Sequence, residues 1–218
     1  MERETLNRSI LMGFTLGLAG VALTSNAHAY YSTSLINFPI ADILKSREGL
    51  YTIGASGFAH NVSKGYGWAQ TATFGILDRG EIGVSNDFLG HTLYDAKVQL
   101  YDSPDQGVSA SFGIAAYDAN EHTNDVFLSV RKDFANFRLH AEAYRSDKVR
   151  GIFGVDFACF NGWAGAVEYK SGSGNETWVA LTTPNITKNL TATLASRCLW
   201  DGGPGPQYQV ILNYGFRF

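Results

Sequence analysis

The chain has 218 residues, a formal net charge of −3, 17 % charged residues, 11 Tyr, 14 Phe, 24 Gly and two Cys. The length suits a single domain. A weakly acidic chain with no basic stripe is no footprint for nucleic acid. The glycine-rich stretches fall in turns and not between a strand and a helix, so no phosphate-binding loop, and no cofactor, is implied.

Residues 1–29 read as an address rather than as structure. Arg3 and Arg8 precede an apolar run over 10–23, and Ala27-His28-Ala29 supplies the small-x-small pattern cut by a signal peptidase. The run is shorter than the roughly 20 residues a spanning helix needs. Cleavage after Ala29 would leave residues 30–218 with the same net charge, because Glu2 and Glu4 offset the two arginines. Residues 30–49 are read as a periplasmic lead-in that either tucks into a barrel mouth or extends loosely.

From residue 50 onward the dominant signal is period two, repeated with turn residues between, as expected where side chains alternate between lipid and lumen. Over 94–101, Tyr94, Ala96, Val98 and Leu100 share one face, and Asp95, Lys97, Gln99 and Tyr101 the other. The same alternation runs through 108–117, 126–131, 137–144, 153–157 and 163–170. Fainter segments at 50–59, 68–77, 81–86, 177–183, 190–198 and 208–218 bring the count to twelve, with ten as the alternative. Asp78-Arg79-Gly80, Asn161-Gly162 and residues 171–175 and 201–206 supply turn chemistry. All the connections are short, which argues against large recognition loops. Counting strands from a periplasmic start puts Cys159 at the end of a descending strand and Cys198 at the end of an ascending one, at opposite ends and beyond the 4.4–6.8 Å Cα separation of a disulfide, so both are expected free.

The last strand is the most informative feature. Phe218, Phe216, Tyr214, Leu212 and Val210 alternate with Arg217, Gly215, Asn213, Ile211 and Gln209. This terminal aromatic strand resembles the assembly signal of bacterial outer-membrane β-barrels, with Tyr214, Phe216 and Phe218 at the signal positions. The resemblance implies an all-β fold, a closed antiparallel up-and-down barrel over 50–218 with both ends in the periplasm. It also implies outer-membrane lipid and the barrel-assembly machinery as partners. The physics agrees, since a sheet in lipid survives only if its edges close. Trp68, Tyr94, Tyr117, Tyr144, Trp163, Tyr169, Trp178 and Tyr208 are candidates for the aromatic belts.

By parity the lumen receives Glu81, Asp95, Lys97, Arg131, Arg138, His140, Glu142, Asp156, Glu168, Lys170 and Arg217. Those charges either line a pore for small hydrophilic solutes or pair with each other across strands. Arg131, Arg138 and Arg217, with Lys132, are expected at the periplasmic end as a weak basic constriction. Twelve strands give a backbone diameter of roughly 24 Å and a bore of about 10–12 Å. The expected function is a porin-like channel; in size and strand count the chain looks like compact channels that pass acidic oligosaccharides. A structural or adhesion barrel with a filled lumen is the first alternative. A barrel-embedded lipid hydrolase is the second, with His140, Glu142 and Ser129 as its groups. The loop histidines His60, His91 and His122 lack metal-site spacing, so no metal is expected.

Overall fold

A computed structural model describes residues 36, 39–58, 67–86, 92–118, 123–145, 148–172, 175–199 and 207–218. The expected export segment, residues 1–29, and the three loop histidines lie outside them. The described chain forms twelve strands: β1 (Glu48–Phe58), β2 (Gly67–Ile76), β3 (Gly80–Asn86), β4 (Thr92–Ser103), β5 (Val108–Asp118) and β6 (Thr123–Asp133). β7 (Phe137–Arg145), β8 (Val149–Ala158), β9 (Ala164–Lys170), β10 (Glu176–Thr182), β11 (Leu190–Leu199) and β12 (Gln207–Arg217) complete the set. Each strand pairs antiparallel with the next, and β1 pairs with β12, closing a barrel with no free edge. The sheet begins two residues earlier than the expected start, at Glu48 opposite Arg217.

Alternation sets which face looks out. Leu128, Val130, Leu139, Phe153, Leu194 and Val210 are exposed on the outside, whereas Ser109, Ser111, Phe127, Ser129 and Glu168 are buried within. An apolar outer wall with a polar inner one is the reverse of a soluble domain, and it is the pattern of a barrel in lipid.

Three aromatic side chains depart from the sequence expectation. Tyr101 stands 47 % exposed, not on the inner face, because a register shift between Gln99 and Tyr101 re-aims it; an extra residue on one strand does this. Trp178 is no belt residue: it is 4 % exposed and packs inside with Ile36, Ala166, Ala180 and Ala195. Tyr144 is half-buried, and its hydroxyl donates to Asp125, so it too belongs to the interior. Tyr94 and Tyr208 do stand exposed on the outer wall.

The connection from β2 to β3 is a two-residue turn centred on Leu77 and Asp78, both at positive φ (52° and 58°), closed by the Arg79 amide donating to the Ile76 carbonyl. This primed turn matches strand twist but favours Asn, Asp or Gly. Cys159 is free and sits in the turn after β8, at the end of the barrel shared by residue 48 and the C-terminus. Cys198 pairs with Thr177 near the other end.

Three cross-strand pairs set a phenylalanine ring directly over a glycine. Phe216 covers Gly49, Phe157 covers Gly165, and Phe127 covers Gly113. A Cβ on any of these glycines would lie within 2.6 Å of a ring carbon or closer. The absent side chain is therefore required at all three.

Candidate functional site in the barrel lumen

The lumen is not an empty tube. The segment just before β1 runs inside the barrel, with Ile36, Ile40, Ala41 and Leu44 at 5 %, 2 %, 0 % and 6 % exposure. The loose lead-in of the alternative reading is thereby replaced by a segment that enters the bore itself. Several of its peptide groups are satisfied by side chains of the wall. The Ile36 amide donates to Glu168 Oε2 at 3.2 Å, and the Leu44 amide to Glu81 Oε2 at 3.0 Å. Lys97 Nζ donates to the Ile40 carbonyl at 2.9 Å and to the Asp42 carbonyl. Ser111 Oγ also donates to the Ile40 carbonyl, at 3.3 Å.

Two clusters of inward charges are joined through this segment. Glu81 and Lys97 face each other across β3 and β4, with Nζ 3.0 Å from Oε1 and side chains only 5 % and 3 % exposed. On the adjoining wall, Arg131 pairs with both Asp42 and Asp133. Arg138 bonds Asp42 at 3.0 Å with one guanidinium nitrogen and Asp156 at 2.9 Å with another. His140 Nε2 lies 3.3 Å from the same Asp156. Asp42 is thus the meeting point of two arginines on neighbouring strands. The fork geometry of guanidinium suits such a carboxylate. Across the bore, Glu176 takes Lys170 on one oxygen and Arg197 on the other, and Arg197 stacks over the Trp178 ring at 5.7 Å.

The remaining candidates fall as follows. Asp95 lies on the inner face opposite Gly83, with Ser85 Oγ donating to it at 3.4 Å. Glu142 and Glu168 are 7 % and 1 % exposed. Arg217 does not reach the interior: its side chain is 72 % exposed at the rim, bonded to Glu48 at 2.8 Å. Lys132 turns to the Gln106 carbonyl and to the Phe134 ring. Of the residues expected at a basic constriction, Arg131 and Arg138 face the interior, and both are paired with carboxylates. The even alternation located the inward charges, but nothing in local sequence ties Asp42 to strands β6 and β7. Only the run Ile36, Ile40, Ala41 and Leu44 around a single acid hinted that this stretch is buried.

Between Pro39, Ile40 and the wall residues Ser129, His140, Glu142, Ile152 and Glu168 remains a cavity of about 10 Å³, room for about one water. Both Glu142 oxygens, Ser129 Oγ and His140 Nδ1 face no protein partner. Ser129 is opposite Glu142 in register, and the imidazole addresses Asp156. A base oriented on a serine hydroxyl, the requirement of the hydrolase reading, is not formed. Among the described residues no cluster of His, Cys, Asp and Glu could hold a metal ion.

No family model matches this chain, and no curated protein matches it in sequence. Solved structures match its fold. A KdgM porin superposes with a TM-score of 0.57 at 10 % identity, covering 77 % of this chain and 99 % of the porin. A KdgM porin in complex with disordered oligogalacturonate gives 0.56 at 13 % identity over 78 % and 99 % of the two chains. The COG4313 outer membrane channel from Pseudomonas putida F1 gives 0.51 at 11 % identity over 81 % and 98 %. At such identities the likeness is one of fold, between this closed antiparallel barrel and these porins and channels.

Proposed function

We propose that this chain is a porin-like channel of the bacterial outer membrane, passing small hydrophilic solutes, with residues 1–29 removed on export. Its terminal strand, with Tyr214, Phe216 and Phe218 on the outer face, would then be read by the barrel-assembly machinery. One observation carries the channel reading. Small structural barrels are filled by their own side chains, whereas this bore is wide enough to admit a whole main-chain segment beside its inward charges. Cleared of that segment, it offers a passage about 5–10 Å across, the thickness of one extended chain. Along its wall the acids and bases alternate in ion pairs, which suits polar solutes of either sign.

The filled-lumen reading keeps one observation in its favour, the same segment seated in the bore. Planar-bilayer recording separates the two. The channel reading expects discrete current steps from the purified protein, and Arg131→Ala with Arg138→Ala should move ion preference toward cations. A protein that inserts, folds and never conducts, even at high voltage, would leave the filled barrel in place of the channel.

A further inference from the structure

We propose that Ile36 and residues 39–45 belong to a built-in plug of this channel and that Asp42 is the latch that holds it shut. The inference rests on the channel reading and adds its regulation. Three independent features point to it.

First, the wall is shaped for the segment. Gly75 of β2 has no side chain where the Leu44 and Lys45 main chain passes; a Cβ there would overlap the Lys45 carbonyl oxygen and lie 2.6 Å from that of Leu44. Second, the segment is held by contacts of a reversible kind. Its main chain is bonded to Glu81, Lys97, Ser111 and Glu168, all inward side chains of a fixed wall. Its only acid, Asp42, sits against Arg131 and Arg138. Third, the two arginines have alternative carboxylates already in reach. Arg131 is bonded to Asp133 at 2.7 Å, and Arg138 to Asp156. When the plug leaves, neither guanidinium is stranded without an anion. That lowers the cost of opening relative to breaking a buried pair outright.

The seated segment therefore sits in one state of a two-state element, and the latch contact biases the balance. Loss of a charge-assisted contact shifts such a balance about tenfold or more. The turn residue Asp78 accepts from the Ser46 amide at 2.8 Å. This fixes the base of the plug, so residues 39–45 move about a hinge at Ser46.

The test uses two readouts in a Cys159→Ser, Cys198→Ser background. Leu44→Cys reports seating, since Leu44 is 6 % exposed, through its rate of labelling by a polar maleimide in the folded protein. Single-channel recording reports passage. Asp42→Asn and Gly75→Val should each speed labelling about tenfold or more and raise the open fraction. Removal of residues 36–45 should leave a pore that stays open. Equal open fractions in the wild-type and shortened proteins would overturn the plug. So would fast labelling of residue 44 with Asp42 intact. Slow labelling released by Asp42→Asn, with no current from any variant, would instead overturn the channel reading, and the gate with it.

Discussion

The Glu81–Lys97 pair gives the sharpest energetic prediction. Its charges meet at 3.0 Å with side chains 5 % and 3 % exposed, and each also serves the plug, Glu81 through the Leu44 amide and Lys97 through two carbonyls. Glu81→Ala strands a buried ammonium, and removing one partner of such a pair costs about 3–5 kcal/mol. The two carbonyls still accept from Lys97, so the lower end, about 3 kcal/mol, is expected. Lys97→Met leaves the Glu81 carboxylate with the Leu44 amide alone and should cost about 4 kcal/mol or more. The double variant loses the pair but strands no charge. It should fall below the sum of the singles by about 2 kcal/mol or more, as residues in one network do. Urea titration of folding into lipid vesicles, read by band shift on unheated gels, measures all four proteins. Single costs below about 1 kcal/mol, the value for solvent-screened pairs, would refute the reasoning, because they would mean that water fills this level of the bore.

Other perturbations address the wall and the turns. Leu139→Arg places a charge at an outward, 44 % exposed position; it should destabilise the barrel in vesicles by about 2–4 kcal/mol, whereas in detergent the loss should be smaller. Leu77→Asn relieves a left-handed residue at φ 52° and should stabilise the protein by about 1 kcal/mol in the same titration; no gain would mean the turn adopts another form. Deleting Phe218 should lower the amount of barrel recovered in the outer membrane while export proceeds, and normal recovery would refute the assembly role. Gel mobility should be unchanged by reductant, since Cys159 and Cys198 lie at opposite ends of the strand frame; a shift would overturn that frame. Burial pushes the Cys159 thiol up, so its alkylation should be slow near neutral pH.

The strand frame was legible because each strand writes its own two faces: Ser109, Ser111 and Ser129 turned inward where alternation assigned them. The exceptions have local causes that alternation does not encode. Tyr101 follows a bulge that shows only once β4 is paired with β5. Trp178 looked like a belt aromatic because both lipid and lumen accept large rings; inside, it packs against Ile36 and the wall residues Ala166, Ala180 and Ala195. The candidate site was legible as a set of inward charges and illegible as a network. Asp42 meets arginines 89 and 96 positions away in sequence, and its segment has no regular period, since several of its peptide groups bond to wall side chains.

The phenylalanine over Gly49 bears on how the cylinder is sealed. β12 joins β1 last in chain order, and along that seam most residues would tolerate a slip of two positions, which preserves which face each side chain takes. Phe216 would not. Its ring fits the notch at Gly49 and meets Phe74 edge-on at 6.0 Å from the next strand over. Sliding β12 by two residues either way would press the ring onto Tyr51 or carry it past the strand start to Arg47, where no notch waits. The closing edge is therefore keyed, tooth to socket, by a single aromatic residue three positions from the end of the sequence, counting Phe218 as the first.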